Sequence, residues 1–143
     1  MTASSAPPLW RQIPRLALLS IGLMVILVVL HILYMVVYGH LINPGQPAEH
    51  YPAHALASGP WFSTIVGAAL FFYTGRRLAR RSGPNALAEA MVMCTIYLVI
   101  ELAFFFGAGA SFQWIFAVAM LTKYVAAAAG ARYSRHSRPT SAA

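Results

Sequence analysis

The sequence predicts an all-α integral membrane protein: a bundle of four transmembrane helices with both termini cytoplasmic. Three observations predict it. Of 143 residues, 59% are hydrophobic and only 9% are charged, against about 25% charged in a soluble domain. The apolar residues gather in four long runs. The basic residues gather in three clusters between those runs. Such a chain cannot cover a water-facing surface, which excludes a soluble globular enzyme. Its mean hydropathy of +0.66 also excludes intrinsic disorder, which needs low hydrophobicity.

The elements follow in chain order. Residues 1–15, with Ser4, Ser5, Pro7 and Pro8, read as a disordered cytoplasmic tail. The first span, 16–38, carries no Lys, Arg, Asp or Glu, and about 20 such residues cross a hydrocarbon core. It ends in Tyr34-Met35-Val36-Val37-Tyr38, which is no cleavage site for a signal peptide. Residues 39–59 read as an outer loop, with a strong turn signal at Asn43-Pro44-Gly45. The second span, 60–75, is short. Gly59-Pro60 reads as its start, because Pro at the first helical position sacrifices no intrahelical bond. Gly59, Ser63 and Gly67 repeat a small residue at every fourth position, a stripe that lets another helix approach closely. The third span, 86–107, follows the boundary Gly83-Pro84-Asn85. The fourth, 111–131, is joined to it by the tight Gly107–Ala110 segment, so the two form an antiparallel hairpin. Residues 132–143 read as a basic cytoplasmic tail. The membrane domain thus covers 16–131.

Charge sets the expected orientation. The chain has ten Lys plus Arg against three acidic residues, all Glu. Arg11 and Arg15 precede the first span, Arg76, Arg77, Arg80 and Arg81 separate the second from the third, and Arg132, Arg135 and Arg138 follow the fourth. The other two connections carry no Lys or Arg. Under the positive-inside rule both termini face the cytoplasm in a multi-pass inner-membrane protein of bacterial type. Trp10, Trp61 and Trp114 fall near span ends, as interfacial belts require. This arrangement explains the net charge of +7 better than nucleic-acid binding does. The expected partners are the bilayer and either further copies of the chain or a larger membrane complex. The lone Cys94 excludes an intrachain disulfide and any CxxC motif.

Ionisable residues inside a span are costly and mark function by default. His31, Glu101 and Lys123 qualify. Glu89 reads instead as a first-turn acid favoured by the helix dipole. Counted at 1.5 Å per residue, His31 and Glu101 each lie about 22 Å from the cytoplasmic end of their span, and Gln113 lies within about 5 Å of that level. Lys123 sits about 10 Å deeper than Glu101, so it either stretches to meet it or snorkels inward. His31, Tyr34 and Tyr38 share one helix face, as do Cys94, Tyr97 and Glu101, and as do Gln113, Phe116, Met120 and Lys123. Three spans therefore carry a polar stripe and one a small-residue stripe.

The outer segment holds His40, Glu49, His50 and His54, whose imidazole and carboxylate groups suit a transition metal such as Zn, Fe or Cu. Pro52 argues against a helical His50/His54 pair. Three functions remain open. The first is solute or proton-coupled transport, with Glu101 as the proton or cation site and His31, Tyr97, Gln113 and Lys123 around it. The second is a metal-binding protein or membrane enzyme built on the outer His residues. The third is an accessory subunit that packs through Gly59, Ser63 and Gly67. No nucleotide-binding or nucleophile-elbow motif is present, and the balance leans away from an enzyme.

Overall fold

The computed structural model describes residues 8–107 and 114–136. Four long helices dominate: α1 (Leu9–Val37), α2 (His50–Ser82), α3 (Ala86–Gly107) and α4 (Trp114–His136). A π-helical turn, Tyr38–Ile42, extends α1, and a 3-10 turn, Gly83–Asn85, joins α2 to α3. There is no strand among the described residues. All four helices are long and apolar enough to cross a membrane.

The chain runs up and down four times. Ser20 on α1 reaches Met93 on α3, and further along both helices Met24 to His31 share a cavity with Tyr97, Glu101 and Phe104, so these two helices run parallel. The close approaches of Gly67 to Lys123 and of Gly75 to Ala127 set α2 parallel to α4. Contacts between α1 and α2, and between α3 and α4, join antiparallel neighbours. The most extensive packing is α2 on α4, followed by α1 on α3. The core holds Leu16, Leu23 and Leu27 of α1, Phe71 and Leu78 of α2, Met93, Cys94 and Tyr97 of α3, and Met120, Ala127 and Ala131 of α4. Large apolar side chains also face outward on every helix, including Val29, Ile65, Val99 and Val125. A bilayer supplies the partner for such a surface.

The helices outrun the apolar runs that announced them. α1 begins at Leu9, inside the segment expected as a tail. α4 ends at His136, inside the expected basic tail. The largest difference is α2, which begins at His50 rather than at Pro60 and carries Arg76 to Arg81 within its last turns. The expected outer loop 39–59 therefore shrinks to the connection 43–49. Hydropathy marks where a helix meets lipid, whereas a helix ends only where its backbone bonds end. Pro52 lies in the first turn of α2, where N–H groups have no intrahelical partner, so it costs nothing there. Pro60 sits mid-helix and frees the Leu56 carbonyl, a single lost bond that membrane helices tolerate.

Candidate functional site

Among the described residues Lys123 is the most deeply buried cation, with a side chain 1% exposed. Its Nζ donates to both carboxylate oxygens of Glu101, at 3.1 and 3.3 Å. It also lies 4.7 Å from the centre of the Tyr97 ring, within range of a cation–π contact. Tyr97 is held in turn by an edge-on contact with Phe71 at 4.9 Å. The aliphatic stem of Lys123 crosses α2 at Gly67, where an added Cβ would come within 2.9 Å of Cε. Gly67 is thus the gap through which Lys123 passes.

The expected offset between Lys123 and Glu101 arose from ending the fourth helix at residue 131. α4 continues to His136. Measured along the helices, Lys123 then lies about 20 Å from the end of α4 and Glu101 about 22 Å from the start of α3, so the levels nearly match. The Lys123 side chain turns to Glu101 and does not snorkel away.

His31 does not touch Glu101. Its Nε2 lies 3.3 Å from Ser58 Oγ, and its ring packs on Phe62 and Tyr34. His31 and Glu101 nevertheless face one space. A cavity of about 520 Å³ is walled by α1 side chains from Met24 to His31, by Gly59, Phe62 and Ser63, and by Tyr97, Glu101 and Phe104. Glu101 is 21% exposed, towards this space. His31 also borders a second cavity of about 660 Å³, nearer the α1–α2 connection, lined by His40, Gly39 and Tyr51 among others. Gln113 lies outside the described residues.

The outer histidines form a ladder rather than a cage. Tyr34 Oη pairs with His54 Nε2 at 3.0 Å, and Tyr38 Oη pairs with His50 Nε2 at 3.1 Å. The Tyr38 and His54 rings stack at 3.7 Å. Asn43 Nδ2 donates to Tyr38 Oη at 3.0 Å. The helical spacing of His50 and His54, set aside on account of Pro52, is therefore real, and it serves tyrosine contacts. His40 and Glu49 are exposed. Among the described residues no three His, Cys, Asp or Glu gather where a metal ion could bind.

The small-residue stripe meets different neighbours along its length. Gly67 meets α4, but Gly59 stands beside His31 and Ser63 lines the cavity. The tightest helix contact lies elsewhere. A Cβ on Gly75 would strike the Ala127 carbonyl, and one on Gly130 would strike the Phe72 carbonyl. Ser20 gives no signal in the sequence; fully buried, its hydroxyl lies 2.9 Å from the carbonyls of both Leu16 and Met93. Glu89 is buried as well and accepts from Ser82 Oγ at 2.6 Å.

No family model, curated protein or solved structure matches the chain.

Proposed function

We propose that the chain transports a small amphipathic solute across the membrane, coupled to protons, with Glu101 as the exchanging group. The observation that supports this most directly is the environment of the Glu101–Lys123 pair. An ion pair used only to hold helices together gains little from facing a cavity. Here the carboxylate borders about 520 Å³ of space while the ammonium is sealed behind it. A proton or an organic cation entering the cavity can replace Lys123 as the partner of Glu101. The walls are mostly aliphatic and aromatic, with polar groups only at His31, Ser63, Tyr97 and Glu101. That chemistry suits a largely apolar cargo bearing one cationic or hydrogen-bond-donating group. His31 borders both cavities, a position from which its ring can control passage between them.

The arginine asymmetry orients this site: the Arg-rich ends of α1 and α2 face the cytoplasm, and the His-rich connection faces outward. The test uses tetraphenylphosphonium as the probe cation in proteoliposomes carrying a pH gradient. The reading predicts gradient-driven movement of the probe by the native chain in excess of its leak through protein-free liposomes, and no excess by the double variant Glu101→Gln/Lys123→Met. The double variant removes both charges together, so it leaves no unpaired buried ion. Equal movement by both proteins would retire Glu101 as the exchanging group.

A further inference from the structure

The arginine-rich end of the bundle carries a second concave site, remote from Glu101. A cavity of about 310 Å³ lies between α1 and α2, lined by Arg15, Leu18 and Leu19 of α1 and by Thr74, Arg77, Leu78 and Arg81 of α2. The spacing on each helix is that of a single face: 15, 18 and 19 on one, and 74, 77, 78 and 81 on the other. Three guanidinium groups thus come from two helices to one cleft that three leucines also line.

Among the described residues no carboxylate answers these charges. The whole chain has three acidic residues. Glu101 is taken by Lys123, Glu89 is buried against Ser82, and Glu49 stands before α2 at the opposite end of the bundle. Among the described residues no ion pair involves Arg15, Arg77 or Arg81; Arg15 makes one hydrogen bond, to Gln12 Oε1 at 3.3 Å. Positive-inside topology requires only that arginines be present at this end. It does not require that they converge on a cleft. Leu18, 71% exposed, continues the cleft onto the apolar outer surface.

We infer that this cleft binds the headgroup of an anionic phospholipid. Guanidinium groups match phosphate oxygens by paired N–H donors, and Leu18, Leu19 and Leu78 offer a bed for the first acyl carbons. The mixture of three arginines and three leucines in one lining separates a lipid from a free anion, which would gain nothing from the leucines.

Titration of phosphatidylglycerol into the full chain in neutral detergent, followed by native mass spectrometry, tests this. The wild-type protein should retain one phosphatidylglycerol in preference to phosphatidylcholine. Arg77→Gln/Arg81→Gln should weaken retention by about tenfold or more, because two charge-assisted guanidinium–phosphate contacts are lost. Arg11→Gln/Arg80→Gln removes the same charge at the same end from residues that do not line the cleft, and should change retention by less than about twofold, since exposed charges that make no contact are screened by salt. Arg15→Gln, on the other helix, should weaken it on its own, which guards against misfolding of the double variant. Equal losses in the two double variants, or equal retention of phosphatidylcholine, would overturn the site. Displacement of the lipid by millimolar inorganic phosphate would reassign it to a free anion and overturn the lipid.

Discussion

Lys123 and Glu101 are unequal partners, and the inequality has consequences for stability. Lys123 is 1% exposed and Glu101 21%. Glu101→Gln leaves an ammonium sealed in the bundle, whereas Lys123→Met leaves a carboxylate beside a cavity. Stranding one member of a buried pair costs about 3–5 kcal/mol. Glu101→Gln should therefore lower the detergent melting temperature more than Lys123→Met, and the double variant should recover most of the loss. Thermal unfolding of the three variants checks the order; equal melting for all would show that the pair is not buried as a unit. Ser20→Ala removes one bridge between α1 and α3 and should cost about 0.6 kcal/mol, the average for interhelical bonds in membranes. The residues of the site were legible because His31, Tyr97, Glu101 and Lys123 stand out in apolar runs. Their pairing was not. Depth counted from run ends sets Lys123 one to two turns too low, because α4 continues beyond its apolar run to His136.

Between elements, the α2–α4 contact fixes the bundle. Gly75 and Gly130 each face a backbone carbonyl of the other helix, and no rotamer change can relieve a clash with backbone. Gly75→Ala and Gly130→Ala should each destabilise by about 1–3 kcal/mol or more, the usual cost of overpacking. Gly22→Ala is the control, because nothing lies within 4 Å of its added Cβ. It should be neutral, or stabilising by about 0.5–1 kcal/mol through helix propensity. Melting curves in one detergent compare all three, and a Gly75→Ala protein as stable as Gly22→Ala would mean that the helices lie further apart. The existence and order of four helices could be read from hydropathy. This contact could not. Gly75 is hidden between Phe71-Phe72-Tyr73 and Arg76-Arg77, and Ala126 to Ala129 present small residues on every side of α4, which gives no direction. The Gly59-Ser63-Gly67 stripe is conspicuous in the sequence, and within the chain Gly67 meets Lys123 of α4 and Gly59 meets His31 of α1.

For the molecule as a whole, two cavities meet at His31, with the ion pair beyond the inner one. The proposed orientation puts the His-rich connection outside. Cysteines introduced at Ala48 and Arg80 should then label from opposite faces with a membrane-impermeant thiol reagent, Ala48→Cys from outside and Arg80→Cys only after permeabilisation. Cys94, 2% exposed, should stay silent; reversed labelling would invert the topology. The central claim is that Lys123 occupies the carboxylate that a cargo cation must take. Equilibrium binding of tetraphenylphosphonium to the purified protein tests it most directly. If Lys123 competes, Lys123→Met should bind the probe more tightly than wild type, by about tenfold or 1.4 kcal/mol, while Glu101→Gln/Lys123→Met should bind it least. Identical affinities in all three proteins would contradict the account.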